Sequence, residues 1–316
     1  MKKVIEFEGA YADLLRNYVA FRQGLGFVMP ESSQRILLHM AKYLYTQPLI
    51  PEVIDRERAE EFSAKQQQES GRTRQCRHVV LRQFCLYLSR TGIKAYIPAA
   101  GFVKARTDFV PRIVSESEMA RIIAVAKGSA LHWPAMVLKI LWCTGIRVGE
   151  AAALRVGDFN EINCTLYIAH AKNDRSRIIP VHQSLASDLS DFVKLHVTST
   201  RPCDWLFPGK VPDAHRNKVA ISNRLRGIYR NAGIFTKAND PIRTHDIRHS
   251  FAIKVFENMV DKGLDIYVTL PFLSAYMGHA NIYDTEYYLR FLPSAYQNLI
   301  DCEQEVSRTV FGGDGV

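Results

Sequence analysis

The sequence predicts a mainly α-helical protein with a small β-hairpin or sheet, in which an N-terminal helical domain precedes a C-terminal mixed α+β domain. Three observations carry that expectation. At 316 residues the chain exceeds one typical domain. Its first hundred residues repeat apolar side chains at helical spacing. Period-two alternation is confined to two short segments, Cys164 to Ile168 and Arg177 to Val181.

Taken in order, Tyr11 to Gln23 places Leu14, Leu15, Tyr18, Val19 and Phe21 on a helix that closes at Gly24. Ser32 to Leu44 repeats the pattern with Ile36, Leu37, Met40 and Leu44, and Glu52 to Gln68 reads as a polar helix. In Arg72 to Ser89, Val80, Phe84 and Tyr87 share one face. Arg74, His78 and Arg82 stand at i, i+4 and i+8 on the other, either a solvated basic face or one that meets phosphates. From Ile97 the periodicity is lost, and the stretch through Lys104 and Arg106 to Pro111 reads as a basic linker. The expected division is therefore a helical domain over 1–107, a linker over 108–114 and a second domain over 115–316. Helical pattern resumes at Ser115, which forms a capping box with Glu118. A buried helix over Leu138 to Cys143 stops at Thr144-Gly145, and another starts near Val148. The two alternating segments flank Lys172-Asn173-Asp174, a hairpin whose turn carries Lys172. From Ser184 to Phe311 the chain reads as helical, interrupted by loops at Pro202 to Asp213 and Thr236 to Arg243.

Composition narrows the function classes. With 47% hydrophobic residues there is material for packed cores. The 41 Lys and Arg against 32 Asp and Glu leave a net charge of +9, which favours a polyanionic partner, nucleic acid being the commonest. Cys76, Cys85, Cys143, Cys164, Cys203 and Cys302 form no C-x-x-C pair, so neither a zinc finger nor a redox dithiol is indicated. The N-terminus is charged where a signal peptide needs an apolar run. Ala135 to Cys143, the most apolar stretch, contains Lys139 and is too short to span a bilayer. These features predict a soluble, cytoplasmic protein.

Three blocks carry the chemistry. Thr144-Gly145-Ile146-Arg147-Val148-Gly149-Glu150 turns sharply into a helix with Arg147 at its start; it lacks the G-K-[ST] of a phosphate loop and the preceding strand of a dinucleotide site. His245-Asp246-Ile247-Arg248-His249 opens a helix on which His245 and Arg248, at i and i+3, project from one face. A guanidinium forks onto two phosphate oxygens while an imidazole donates or relays a proton. The same block is a near miss to H-E-x-x-H, so a zinc hydrolase is a rival reading that would require a third ligand. The third block runs from Tyr276 through Gly278-His279 to Tyr287-Tyr288-Leu289.

In this order the blocks resemble those of the tyrosine recombinases, also called the phage integrase family. Arg147 matches the family's T-G-x-R arginine, and Lys172 matches its hairpin lysine. His245 and Arg248 match H-x-x-R, and Gly278-His279 matches G-H. The nucleophile falls nine residues after that histidine, which selects Tyr288, with Tyr287 as the competitor. Leu206-Phe207-Pro208 is similar to a further family segment, Met277 replaces the usual Leu, and Leu270-Pro271-Phe272-Leu273-Ser274 resembles transposon-type members. The resemblance implies a helical core-binding domain of the SAM-like type followed by the catalytic domain. It implies attack by Tyr288 on a phosphodiester, a 3′-phosphotyrosine intermediate, and no metal, nucleotide or other cofactor. Arg147 and Arg248 would clamp the non-bridging oxygens with help from His279, Lys172 would protonate the leaving 5′-oxygen, and His245 would carry a proton near the tyrosine. Glu150 either orients Arg147 or is a solvated helix-start carboxylate.

The implied partner is double-stranded DNA at recombination sites, bound by a homotetramer on the nucleoid. Candidate DNA contacts are Arg74, His78, Arg82, Lys104, Arg106, Arg224, Arg226 and Arg230. A C-terminal helix over Pro293 to Val310 docks either on a neighbouring protomer or on its own domain. A type IB topoisomerase would use the same chemistry without a partner site, and a DNA-bending protein would bind without cutting.

Overall fold

The structure, a computed structural model, describes residues 6–9, 11–27, 29–45, 54–104, 110–169, 176–197, 201–211 and 213–291. The chain divides into two compact units, Met1–Phe109 and Val110–Val316.

The first unit contains α1 (Ala12–Gly24), α2 (Glu31–Tyr45), α3 (Arg56–Ser63) and α4 (Gly71–Arg90). Its core joins Leu15 and Tyr18 of α1, Leu37, Met40 and Leu44 of α2, Phe62 of α3, and Leu81, Phe84 and Leu88 of α4. Helix α3 is much shorter than the expected Glu52 to Gln68. Asp55 caps its start by accepting from Arg58 N at 2.8 Å, and the chain turns extended at Ala64.

That early stop leaves backbone carbonyls without helical partners, and basic side chains of α4 supply the donors. Arg74 Nε donates to the Ser63 carbonyl at 2.8 Å, and Arg77 Nη2 to that of Ala64 at 2.6 Å. Arg77 also meets Glu69 in a buried two-pronged ion pair, with Nη2–Oε2 at 2.7 Å and Nε–Oε1 at 3.0 Å. Arg82 Nη1 donates to the Pro98 carbonyl at 2.6 Å. His78 is only 2% exposed. Its Nε2 meets the Ala99 carbonyl at 3.1 Å, so the ring is a donor there, and Nδ1 accepts from the Ser63 hydroxyl at 3.1 Å. The expected free basic face of α4 is thus corrected: Arg74, His78 and Arg82 are turned onto the unit's own loops.

In the second unit the elements are α5 (Glu116–Lys127), α6 (Trp133–Thr144), α7 (Val148–Ala152), β1 (Phe159–Asn160), β2 (Thr165–Ile168), β3 (Arg177–Pro180), α8 (Gln183–His196), α9 (Lys218–Asn231), α10 (Thr244–Asp261), α11 (Ile266–Met277) and α12 (Tyr283–Glu286), with a 3₁₀ turn at Tyr287–Phe291. The Ser115–Glu118 capping box forms at α5, with Ser115 N to Glu118 Oε2 at 2.9 Å. Residues expected in the linker are packed instead: Val114 is buried, and its amide donates to Ser250 Oγ at 2.8 Å.

Helix α6 is apolar on nearly all sides, which suits a central position. It buries Met136, Val137, Leu138, Ile140 and Leu141, and α5, α8, α9 and α10 pack around it. The sheet is antiparallel in the order β1-β2-β3, with Leu166 opposite Ile179 and Ile168 opposite Arg177. Alternation turns Leu166, Ile168 and Ile179 into the core and leaves Tyr167 and Ile178 outside. Strand β1, two residues long, enlarges the expected hairpin to three strands. Lys172, Arg106 and the expected C-terminal helix over Pro293 to Val310 lie outside the described residues. Among the described residues no helix is long and apolar enough to cross a membrane.

Candidate active site

Two left-handed turns build the floor of the site. Helix α6 ends at buried Thr144, and Gly145 follows at φ 61°. A Cβ on Gly145 would fall 2.2 Å from Phe251 Cδ1, so position 145 has room only for hydrogen. The chain then enters α7 with Arg147 as its cap residue. Helix α11 ends in the same way at Gly278, φ 66°, where a Cβ would lie 2.6 Å from Arg177 Nη1. His279 is the next residue.

Arg248, in the second turn of α10 and 2% exposed, joins the two turns. Its Nη1 donates to the Gly145 carbonyl at 2.7 Å and its Nη2 to the Met277 carbonyl at 2.8 Å. The same Nη2 lies 2.8 Å from His279 Nε2, while Nε is buried with no hydrogen-bond partner among the described residues. Arg147 Nη1 donates to the Gly278 carbonyl at 3.1 Å and to Glu150 Oε1 at 3.0 Å. Glu150, also buried, accepts from the Arg147 amide at 3.0 Å. Its carboxylate is shared with Arg177, whose Nη2 reaches Oε2 at 2.9 Å and whose Nε donates to the Tyr276 carbonyl at 2.7 Å.

Tyr288 is 2% exposed, and the Arg248 guanidinium is near enough to pull its phenol pKa down. Its ring stacks on His279 at 6.2 Å and packs against His249 at 5.4 Å. Tyr287 turns its ring toward Phe291 at 5.3 Å. His279 Nδ1 meets Thr285 Oγ1 at 2.6 Å. A cavity of about 290 Å³ opens beside this network, and Arg147, His245 and Arg248 line it together with Arg226 and Arg243.

The electrostatics follow from crowding cations into a partly dry space. Burial pushes His279 down to about 3, with Arg248 and Arg147 acting in the same direction. His245 is pushed down to about 4 by the protein packed around its ring and by the same two arginines. His245 is exposed, so the guanidinium charges are the firmer cause. Burial lowers Arg248 to about 10, which leaves it a cation near neutral pH. Burial alone would raise Glu150, but hydrogen bonds from Arg177 and the Arg147 amide hold it below the ordinary carboxylate value. Burial raises the Tyr288 phenol above its ordinary value against the opposing pull of Arg248.

Of the residues expected from sequence, Arg147, Glu150, Arg248 and His279 are hydrogen-bonded around Met277–His279, the Tyr288 ring stacks on His279, and His245 lines the cavity with Arg147 and Arg248. Lys172 is outside the described residues. On α9, Arg226 lines the cavity and pairs with Asp240 at 3.2 Å, while Arg224 and Arg230 are exposed, as is Lys104 in the first unit. Among the described residues no group of three or more His, Cys, Asp or Glu is placed to hold a metal ion.

Arg177, Arg243 and Thr285 were missed. Arg177 had a signal: it alternates with Ile179, so a charged side chain falls on the inward face of a strand. Thr285 had a weaker one, one turn ahead of Tyr288.

A mainly helical unit with a three-stranded antiparallel sheet is the architecture of a tyrosine-recombinase catalytic domain. Residues 112–294 match the sequence profile of the phage integrase family, and the chain belongs to that family of tyrosine recombinases. Among its relatives is the integrase/recombinase y4rB of Sinorhizobium fredii, 27% identical over 304 residues, covering 90% of this chain and 93% of the relative. The tyrosine recombinase XerA of Pyrococcus furiosus is 27% identical over 186 residues, 57% of this chain and 58% of the relative. In fold, the chain is similar to the XerH site-specific recombinase bound to a palindromic difH substrate, with a TM-score of 0.67 at 19% identity over 96% of this chain and 85% of that one. It is also similar to the Tn1549 transposon integrase in complex with a circular intermediate DNA, with a TM-score of 0.66 at 16% identity over 91% and 98% of the two chains.

Proposed function

We propose that this protein is a site-specific DNA recombinase that cuts and rejoins duplex DNA through a 3′-phosphotyrosine on Tyr288, without metal or ATP. The observation that carries the reading is the stacking of the buried Tyr288 ring on His279, whose Nε2 meets the Arg248 guanidinium at 2.8 Å, beside a cavity that Arg147 and Arg248 line. Tyr288 Oη attacks the scissile phosphorus, the bond from phosphorus to O5′ breaks, and the phosphoester energy is kept in the new bond to tyrosine. Arg147 and Arg248 neutralise charge on the non-bridging oxygens, a task metal ions perform in other phosphoryl-transfer sites. Glu150 keeps Arg147 in place. Lys172 protonates the departing O5′, and neutral His245 takes up the phenol proton. Religation reverses each transfer with a 5′-hydroxyl as nucleophile.

DNA is gripped at the cavity's edge by Arg226 and beyond it by Lys104, Arg106 and the α9 residues Arg224 and Arg230, with Arg74 and Arg82 lending spare guanidinium hydrogens. His78, sealed inside the first unit, has no part in this grip. The working form is a homotetramer across two sites on nucleoid DNA in the cytoplasm.

The test begins by letting the protein select its binding site from a random duplex library. Nicked suicide duplexes bearing that site are then incubated with it in EDTA. A covalent adduct is expected, abolished by Tyr288→Phe with binding intact and retained by Tyr287→Phe. An adduct undiminished in Tyr288→Phe moves the nucleophile to Tyr287. Activity that disappears in EDTA overturns metal independence, and supercoil relaxation without a partner site makes the protein a topoisomerase.

A further inference from the structure

The His279 ring is held at both nitrogens, and the two partners differ in kind. Nε2 lies 2.8 Å from Arg248 Nη2. A guanidinium offers hydrogens and no acceptor, so Nε2 must present its lone pair. The single ring proton of neutral His279 therefore sits on Nδ1, where Thr285 Oγ1 receives it at 2.6 Å. In this state the imidazole presents an acceptor to the Arg248 guanidinium.

A phosphate oxygen is itself an acceptor, so His279 can bond to one only with a hydrogen on Nε2. A second proton is disfavoured by burial and by the nearby Arg248 and Arg147 charges. The remaining route is tautomer reversal: Nδ1 yields its proton to solvent, Nε2 gains one from solvent, and the total is unchanged. Nδ1 then needs a donor where it previously had an acceptor. A hydroxyl serves in both senses. Thr285 is fully buried and stands in α12, one turn ahead of Tyr288.

We infer that Thr285 is a positioning residue that sets the tautomer of His279, accepting from Nδ1 in the free protein and donating to it once a phosphate engages Arg248. The inference rests on the recombinase reading above. It also links the nucleophile's segment to the phosphate clamp, since a shift of α12 carries the Thr285 hydroxyl with it.

The test compares Thr285→Val, which keeps the shape and removes the hydroxyl, with Thr285→Ser, which restores it. On suicide duplexes the valine variant is expected to form adduct roughly 10–100-fold more slowly with DNA affinity unchanged, the range seen when the orienting partner of a site imidazole is lost. The serine variant is expected to recover most of the rate. In a His279→Ala background the valine change is expected to add nothing, because Thr285 acts through that ring. Histidine ¹⁵N spectra report the state directly: lone pair on Nε2 in the free protein, inverted in the Tyr288→Phe variant bound to its DNA. A valine variant at wild-type rate, a loss that adds fully to His279→Ala, or a free protein with its proton on Nε2 overturns the inference. Absence of adduct from the wild type overturns the recombinase reading instead, and the spectra of the free protein still decide the tautomer.

Discussion

At the scale of single residues the decisive group is Glu150. One buried carboxylate answers two guanidiniums, Arg147 at 3.0 Å and Arg177 at 2.9 Å. Removing its charge strands both cations at low exposure, and breaking a buried pair costs about 3–5 kcal/mol. Glu150→Gln is expected to lower stability by about 3 kcal/mol, read from urea midpoints, and to depress adduct formation more than DNA affinity. Full activity in a destabilised variant would show that the carboxylate only supports the fold. The link between Arg147 and Glu150 was legible because the two stand at i and i+3. The link to Arg177 was not, since it crosses from a strand to a helix and depends on tertiary packing. In the sequence Tyr288 was preferred to Tyr287 only by its distance from His279 along the chain; that the Tyr288 ring stacks on His279 while that of Tyr287 lies against Phe291 depends on tertiary packing.

At the scale of elements, the left-handed stops of α6 and α11 create the site. The two glycines meet different obstacles. A methyl at Gly145 strikes a packed Phe251 ring, whereas one at Gly278 strikes the end of the Arg177 guanidinium. Gly145→Ala is therefore expected to be the more destabilising, by at least about 3 kcal/mol in thermal or urea unfolding. Gly278→Ala is expected to cost about 1–3 kcal/mol from its backbone conformation. Its adduct rate should fall further than its stability, because Arg177 must leave Glu150 to make room. Equal ratios of activity loss to stability loss in the two variants would refute this division. Element boundaries set by caps were readable in advance, as the Ser115–Glu118 box at α5 was. The length of α3 and the inward turn of Arg74, His78 and Arg82 were not. Helical spacing reports which residues share a face, but not which loop will cross it, and here unsatisfied carbonyls at Ser63 and Pro98 drew the basic side chains in.

For the molecule as a whole, acidification should be destabilising. Burial and neighbouring cations hold His279 at about 3 and His245 at about 4, and burial and His245 hold His249 at about 4. Above about pH 6.5 these rings are neutral in both folded and unfolded chains and contribute nothing. Below it the unfolded chain takes up protons that the folded one refuses, so stability falls as pH drops from about 6.5 toward 4. Glu150, held below its ordinary value, adds a loss of the same sign at still lower pH. Urea midpoints at pH 7 and pH 5 are expected to differ, with a smaller difference in His279→Gln; a flat profile would refute the shifts. The two-part layout was visible in sequence as a loss of periodicity after Ile97, although Val114 proved to belong to the second core.

The anchoring of Arg248 on the carbonyls of Gly145 and Met277, and of Arg147 on that of Gly278, has a separate implication. Main-chain oxygens are the same in every amino acid, so drift at those positions leaves the anchoring atoms in existence as long as the two turns survive. The surface arginines of α9 have no such protection. Under the recombinase reading proposed above, substitutions on the exposed α9 rim are therefore expected to alter DNA binding while the two glycine turns keep the arginines of the site in place.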